Sequence, residues 1–124
     1  MRKRFFALCA LCLAVGLSAG IAFSEMTIWI KVSPNVIVMR SKTHALTVHT
    51  NISFALVDPE TVTLNRTIRP YATLSDDWGN LVAKFEMGRV KAKVSPPRAE
   101  LALVGRTTGG EIFQGRAVVE VRDR

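Results

Sequence analysis

The amino-acid sequence predicts an all-β protein: an antiparallel β-sandwich of seven or eight strands after an N-terminal leader. Two patterns carry this prediction. Apolar and polar residues alternate with a period of two along most of the chain, as they do in strands with one buried face. Turn-forming residues recur about every 8–12 residues, which is the spacing of short strands in a sandwich. Beyond the leader, no helix-period segment exceeds one or two turns.

Prolines and asparagines divide the first half of the chain into strands. Residues 27–32 alternate between apolar and polar, and Ser33-Pro34-Asn35 ends that strand. A short apolar strand follows at 36–39, and a longer alternating strand runs over 46–52. Residues 58–60, Asp-Pro-Glu, predict a turn that leads into a β-branched strand at 61–64.

The second half is divided in the same way. Residues 68–74 contain Pro70, and we expect them at a sheet edge because proline has no amide hydrogen for a ladder. Residues 75–80 form a turn by composition. Residues 89–94 fit either a short crossover or a strand. The strands at 99–106 and 112–121 flank Thr-Thr-Gly-Gly and predict a closing hairpin.

Strands of this number, length and spacing are typical of the immunoglobulin-like β-sandwich, although its Cys–Trp–Cys pattern is absent. We expect the apolar half of each alternating strand to point inward. The predicted core consists of Leu46, Val48, Leu81, Phe85, Leu101, Leu103, Phe113, Val119 and Val121.

The first 24 residues have the composition of a signal peptide. Three basic residues at 2–4 precede an apolar run at 5–17, and Ala22 and Ser24 occupy the −3 and −1 positions of a cut before Glu25. We therefore predict a signal peptide at 1–24, one domain at 25–124, and a periplasmic or extracellular location without stable membrane insertion. The alternative is an uncleaved anchor, since the apolar region approaches the roughly 20 residues of a spanning helix.

Composition restricts the chemistry of the mature chain. Both cysteines, Cys9 and Cys12, belong to the leader, which excludes a thiol nucleophile, a thiolate zinc site and a disulfide from the rest. The chain has 17 Lys and Arg against 10 Asp and Glu, and three of the cations are in the leader. The remaining positive charge is too small to indicate nucleic-acid binding.

Five short segments in a fixed order resemble a recurrent module of exported bacterial proteins. They are residues 57–62, 79–85, 101–105, 110–115 and 119–121. The resemblance implies an immunoglobulin-type sandwich, of a kind that is mostly unassigned in function and often attached to larger secreted proteins. Many such modules carry an aspartate-rich turn like a calcium loop, for which this chain has only Asp76-Asp77-Trp78-Gly79-Asn80.

That turn holds the weak candidates for a metal site, namely Asp76, Asp77 and Asn80. Calcium takes six to eight oxygen ligands, so three side chains favour a solvated turn, and we expect no cofactor. His44 and His49 would face opposite sides of one regular strand and would not act together. Without a nucleophile elbow or a phosphate-binding loop, the sequence predicts a protein that is not an enzyme.

Two groups of residues are weak candidates for binding. Arg89, Lys91 and Lys93 alternate with apolar residues, so a strand would present three cations on one face to an anionic polymer, lipid headgroups or a protein. The alternative is an edge strand that lysines protect from aggregation. Trp29, on a polar strand face, and Trp78, in a turn, offer contact area to a partner or a sugar ring, or else cover the edge of a small core.

These observations favour an exported, non-catalytic module for protein interaction or structural support in the cell envelope, with an unidentified envelope or secreted protein as its partner. The alternative function is an envelope protein that binds polyanions or glycans through the basic strand 89–93 and the exposed tryptophans.

Overall fold

The computed structural model describes residues 25–124, so the predicted signal peptide with Cys9 and Cys12 lies outside the described residues. The described chain forms nine strands, one short helix (α1, Met87–Lys91) and a 3₁₀ turn (Phe54–Leu56). The strands are β1 (Glu25–Thr27), β2 (Ile30–Ser33), β3 (Val36–Val38), β4 (Ala45–Ser53), β5 (Val57–Leu64), β6 (Ala72–Ser75), β7 (Asn80–Glu86), β8 (Arg98–Thr107) and β9 (Ile112–Arg122).

The strands form two sheets that enclose one apolar core, which confirms the all-β prediction. Sheet A has the order β1-β9-β8-β5, with β3 also paired to β9, and sheet B has the order β2-β4-β7-β6. The strand count of seven or eight was too low. β1 and β3 have only three residues each, which is too short for alternation to mark them as separate strands.

The N-terminal segment passes between the two sheets twice. β1 pairs in parallel with the start of β9, β2 pairs antiparallel with β4, and β3 returns to pair in parallel with the end of β9. The prediction of one strand over 27–32 was therefore wrong. Ile28 and Trp29 join two strands of different sheets, and the Ile28 amide still donates to the Gln114 carbonyl oxygen at 2.9 Å.

The core prediction is confirmed, because all nine of the predicted inward residues are buried. Phe85 and Phe113 have no exposed surface. Val82 is also buried, although it lies on the outward side of β7. Its register partners on the neighbouring strands are His49 and Leu74, and their side chains flank it on the outer face of sheet B.

Two inward-facing glycines allow close packing. A Cβ atom on Gly105 would lie 2.5 Å from Cζ of Phe113, its register partner on β9. A Cβ atom on Gly115 would lie 2.6 Å from Cγ2 of Ile30 and 3.0 Å from the carbonyl oxygen of Ile28. A side chain at either position would therefore clash with the residues packed against it.

Two local predictions need correction, and a third is confirmed. Residues 58–60 are part of β5, where the register shifts between Asp58 and Thr63, and do not form a separate turn. Pro70 precedes β6, which is an edge strand as expected. Residues 87–91 are helical, so the strand interpretation of 89–93 was wrong. The helix forms because Met87 and Val90, three residues apart, both pack into the core at the end of the sandwich.

Within the described part of the chain, no helix has the length and apolar character needed to cross a membrane.

Candidate binding surfaces

Three chain connections meet at one end of the sandwich, which we name the tryptophan end. It consists of the 3₁₀ turn Phe54–Leu56, the β6–β7 turn at 76–79 and the β8–β9 turn at 108–111. The Phe54 amide donates to the Gly79 carbonyl oxygen at 2.9 Å, and the Thr108 amide donates to the Leu56 carbonyl oxygen at 2.8 Å. Backbone hydrogen bonds therefore join these connections into one surface.

The tryptophan end exposes apolar side chains. Trp78 is 87% exposed and Leu56 is 52% exposed. These three connections contain no Lys or Arg, whereas Asp76, Asp77 and Glu111 lie within them. The surface therefore combines apolar contact area with negative charge.

The β6–β7 turn is organised by Asp76. Its Oδ1 accepts hydrogen bonds from the amides of Trp78 at 2.8 Å and Asn80 at 2.9 Å. Gly79 adopts φ +82°, and its amide donates to the Asp76 carbonyl oxygen at 3.0 Å. Asp77 is exposed. The candidate metal ligands thus belong to a turn that hydrogen bonds to its own backbone close, and no group of three His, Cys, Asp or Glu side chains that could hold a metal occurs among residues 25–124.

Trp29 lies away from Trp78. It immediately precedes edge strand β2, is 57% exposed, and its amide donates to Oδ1 of Asn51 at 2.8 Å. The order β2-β4-β7-β6 separates Trp29 from the β6–β7 turn by at least two strand spacings, or about 10 Å. Both indoles are exposed at the same end of sheet B, on segments that are separated along the sheet.

The two histidines are also apart. His44 is exposed in the loop before β4, so the two residues do not share a strand. His49 is half-buried on the outer face of sheet B, in register with Lys31 and Val82.

Three other segments meet at the opposite end of the sandwich, which we name the basic end. It consists of the β3–β4 loop at 39–44, α1 with the chain that follows it to Arg98, and the last residues of β9. Nζ of Lys91 donates to the Ser41 carbonyl oxygen at 2.8 Å. The Met87 amide donates to the His44 carbonyl oxygen, and the Met39 amide to that of Arg122, both at 2.8 Å.

The basic end gathers seven cations from segments that are distant in sequence. They are Arg40, Lys42, Arg89, Lys91, Lys93, Arg98 and Arg122. Sequence reasoning found the cations near residue 90 but missed Arg40 and Lys42, because only the tertiary fold brings the β3–β4 loop against α1. The basic end and the two tryptophans are at opposite ends of sheet B, so the candidate binding residues form two surfaces.

Two of these cations have carboxylate partners. Nε of Arg89 lies 3.4 Å from Glu86, and Nε of Arg122 lies 2.6 Å from Glu120. The hydrogen bond to Glu120, followed by the attraction between the two charges, raises the pKa of the Arg122 guanidinium above its ordinary value. Arg40, Lys42, Lys93 and Arg98 are exposed and form no ion pair with any residue in the described range.

Comparisons of the chain with family models, curated proteins and solved structures found no match.

Proposed function

We propose that this chain is an exported, non-catalytic module of the cell envelope that binds a protein partner through its tryptophan end. The observation that carries the proposal is Trp78, which is 87% exposed in a turn held by hydrogen bonds, beside a connection that exposes Leu56. Tryptophan supplies a large, rigid contact area and is enriched among the residues that contribute most to protein interfaces.

We further propose that the sandwich is of the immunoglobulin type. The order β2-β4-β7-β6 opposite β5-β8-β9 supports this, because constant-type immunoglobulin domains have strands ABED facing CFG. In that correspondence the tryptophan end contains the B–C, D–E and F–G connections. The B–C and F–G connections carry binding loops in variable domains, which supports a contact role for this end.

The chemistry of the tryptophan end suits contact better than catalysis. Its most exposed side chain is an indole, and the Asp76 carboxylate is occupied with two backbone amides. The alternative of glycan binding by paired tryptophans has less support, since the two tryptophans are on segments at least two strand spacings apart, or about 10 Å between backbones.

Site-specific photo-crosslinking tests the proposal. A photoreactive amino acid at position 78, in the full chain expressed in cells, should capture one protein of defined mass in the envelope fraction. The matched control carries the same group at Val118, which is 64% exposed on β9, away from the tryptophan end. A specific adduct from position 118 and none from 78 would assign the interface to sheet A and refute the proposal.

A further inference from the structure

We infer that the basic end adsorbs to an anionic phospholipid surface. This contact is separate from the one proposed for the tryptophan end, because the two surfaces share no residue. The inference rests on how charge is distributed over the molecule and on the kind of surface that carries it.

Charge is polarised along the sandwich. The described residues contain 14 Lys and Arg, and seven of these are at the basic end, against the two carboxylates Glu86 and Glu120 that pair there. Asp123 and Arg124 follow Arg122 directly and their charges cancel, and the other described residues have six cations and seven carboxylates. The excess positive charge of residues 25–124 thus belongs to one end, and its field attracts and orients the molecule at a negatively charged surface.

The unpaired members of the basic end are available to a partner. Arg40 and Lys42 lie in the β3–β4 loop, Lys93 follows α1, and Arg98 begins β8; all four are exposed. Lys91 is held against the loop by its hydrogen bond to Ser41, which keeps α1 beside Arg40 and Lys42. The segments that carry the cations are therefore held together, and the four unpaired side chains are accessible to an anionic surface.

This end lacks the large exposed aromatic and apolar side chains that anchor many protein interfaces. The large exposed apolar residues of the described chain are Trp29, Leu56, Tyr71, Leu74, Trp78 and Val118, and none belongs to the segments of the basic end. The residues that contribute most to protein interfaces are enriched in Trp, Tyr and Arg, of which this end has only Arg, and insertion into hydrocarbon depends on apolar area. A surface of cations without such anchors fits electrostatic adsorption to headgroups.

The arrangement also favours a bilayer over a linear polyanion. Proteins that bind single-stranded nucleic acids use a charged groove that follows the backbone, with aromatic side chains on which the bases stack. Here three separate segments contribute cations to the blunt end of a sandwich, and the exposed tryptophans are at the other end. Cations spread over one end of the sandwich can contact several headgroups at once on the flat, negatively charged surface of an anionic leaflet.

Vesicle co-sedimentation tests the inference. The purified protein, in the form recovered from cells, is mixed with vesicles of phosphatidylcholine containing about one third phosphatidylglycerol. We expect binding to these vesicles and little binding to pure phosphatidylcholine. Raising the salt from about 0.1 M to about 1 M should abolish it, because the Debye length falls from about 10 Å to about 3 Å.

Two double variants with the same net charge identify the surface. K42A with K93A should lower the partition coefficient roughly 25-fold, about fivefold for each cation, which is ~1 kcal/mol near an anionic surface. K31A with R69A removes two exposed cations outside the basic end and should change it by less than about twofold. Thermal unfolding of both variants verifies that they are folded.

The inference fails if the two double variants lose binding equally, because net charge would then be responsible and not this surface. It also fails if neutral vesicles bind as well as anionic ones. A linear polyphosphate that binds tighter than the vesicles at equal phosphate concentration, with the same loss in K42A/K93A, would replace the bilayer by a soluble polymer and refute the inference.

Discussion

At Gly115 the absence of a side chain determines how closely the N-terminal segment approaches β9. Ile28 and Ile30 lie directly over this position as the chain crosses from sheet A to sheet B. The contact includes a backbone oxygen, so a flexible side chain cannot simply move aside. Gly88 is different, because nothing lies within 4 Å of the position its Cβ atom would occupy.

We expect Gly115→Ala to lower the free energy of unfolding by about 1–3 kcal/mol, the usual effect of overpacking a core. Gly88→Ala, in α1, is the matched control and should raise it by about 0.5–1 kcal/mol, because alanine is the better helix former. Urea denaturation measures both. Equal effects of the two substitutions would show that Ile28 and Ile30 leave room for a Cβ atom at Gly115.

Phe85 tests the assignment of inward and outward faces. It is completely buried, so Phe85→Ala should destabilise the protein by about 3–5 kcal/mol through the lost apolar contacts and the cavity. Lys93→Ala should change the free energy of unfolding by less than about 0.5 kcal/mol, because Lys93 is exposed and forms no ion pair with the described residues. A neutral Phe85→Ala combined with a destabilising Lys93→Ala would reverse the assigned faces.

Among the connections between strands, the β6–β7 turn carries the side chain that we propose contacts a partner. Trp78 projects from a loop of four residues whose shape depends on the Asp76 carboxylate and on the positive φ of Gly79. The aspartate residues of this turn therefore have unequal roles: Asp76 closes the loop, and Asp77 is exposed to solvent.

We expect Asp76→Ala to destabilise the protein by about 1.5–3 kcal/mol, since it removes two hydrogen bonds from backbone amides to a charged acceptor. Asp77→Ala should change stability by less than about 0.5 kcal/mol. Calcium should leave the unfolding midpoint of the unmodified protein in place. A midpoint that rises with calcium, and no longer does so in Asp77→Ala, would instead identify the turn as a metal site.

For the molecule as a whole, the two ends of the sandwich differ in chemistry. The tryptophan end has exposed apolar residues and carboxylates, and the basic end has cations without large exposed apolar residues. Glu25 begins the described chain in β1, which pairs with the start of β9 beside the tryptophan end.

Removal of the leader is a prediction about the whole chain. Three basic residues, the apolar run and the small residues before Glu25 predict removal of residues 1–24 on export. The intact mass of the protein recovered from the exported fraction should correspond to residues 25–124. A full-length species that stays in the membrane fraction would support the anchor alternative.

The sequence by itself determined the all-β class and the core, because alternation directly records which face of a strand meets water. Phe85 and Phe113 were predicted to be buried for that reason. The hairpin of β8 and β9 was predicted from the Thr-Thr-Gly-Gly turn between its two strands. Periodicity could not distinguish a strand from a single helical turn at 89–93, since Val90 satisfies both patterns. The helix forms there because it allows both Met87 and Val90 to pack against the core.

Only the tertiary structure decided how the candidate binding residues group. Arg40 and Lys93 are far apart in sequence, and they share the basic end because Lys91 and Met87 hydrogen-bond to the β3–β4 loop. The crossing of residues 28–36 between sheets was likewise hidden, since a strand alternates in the same way whichever sheet it joins. Alternation along a strand shows which of its residues are buried. It does not show which other strand it pairs with, because that depends on contacts between segments distant in sequence.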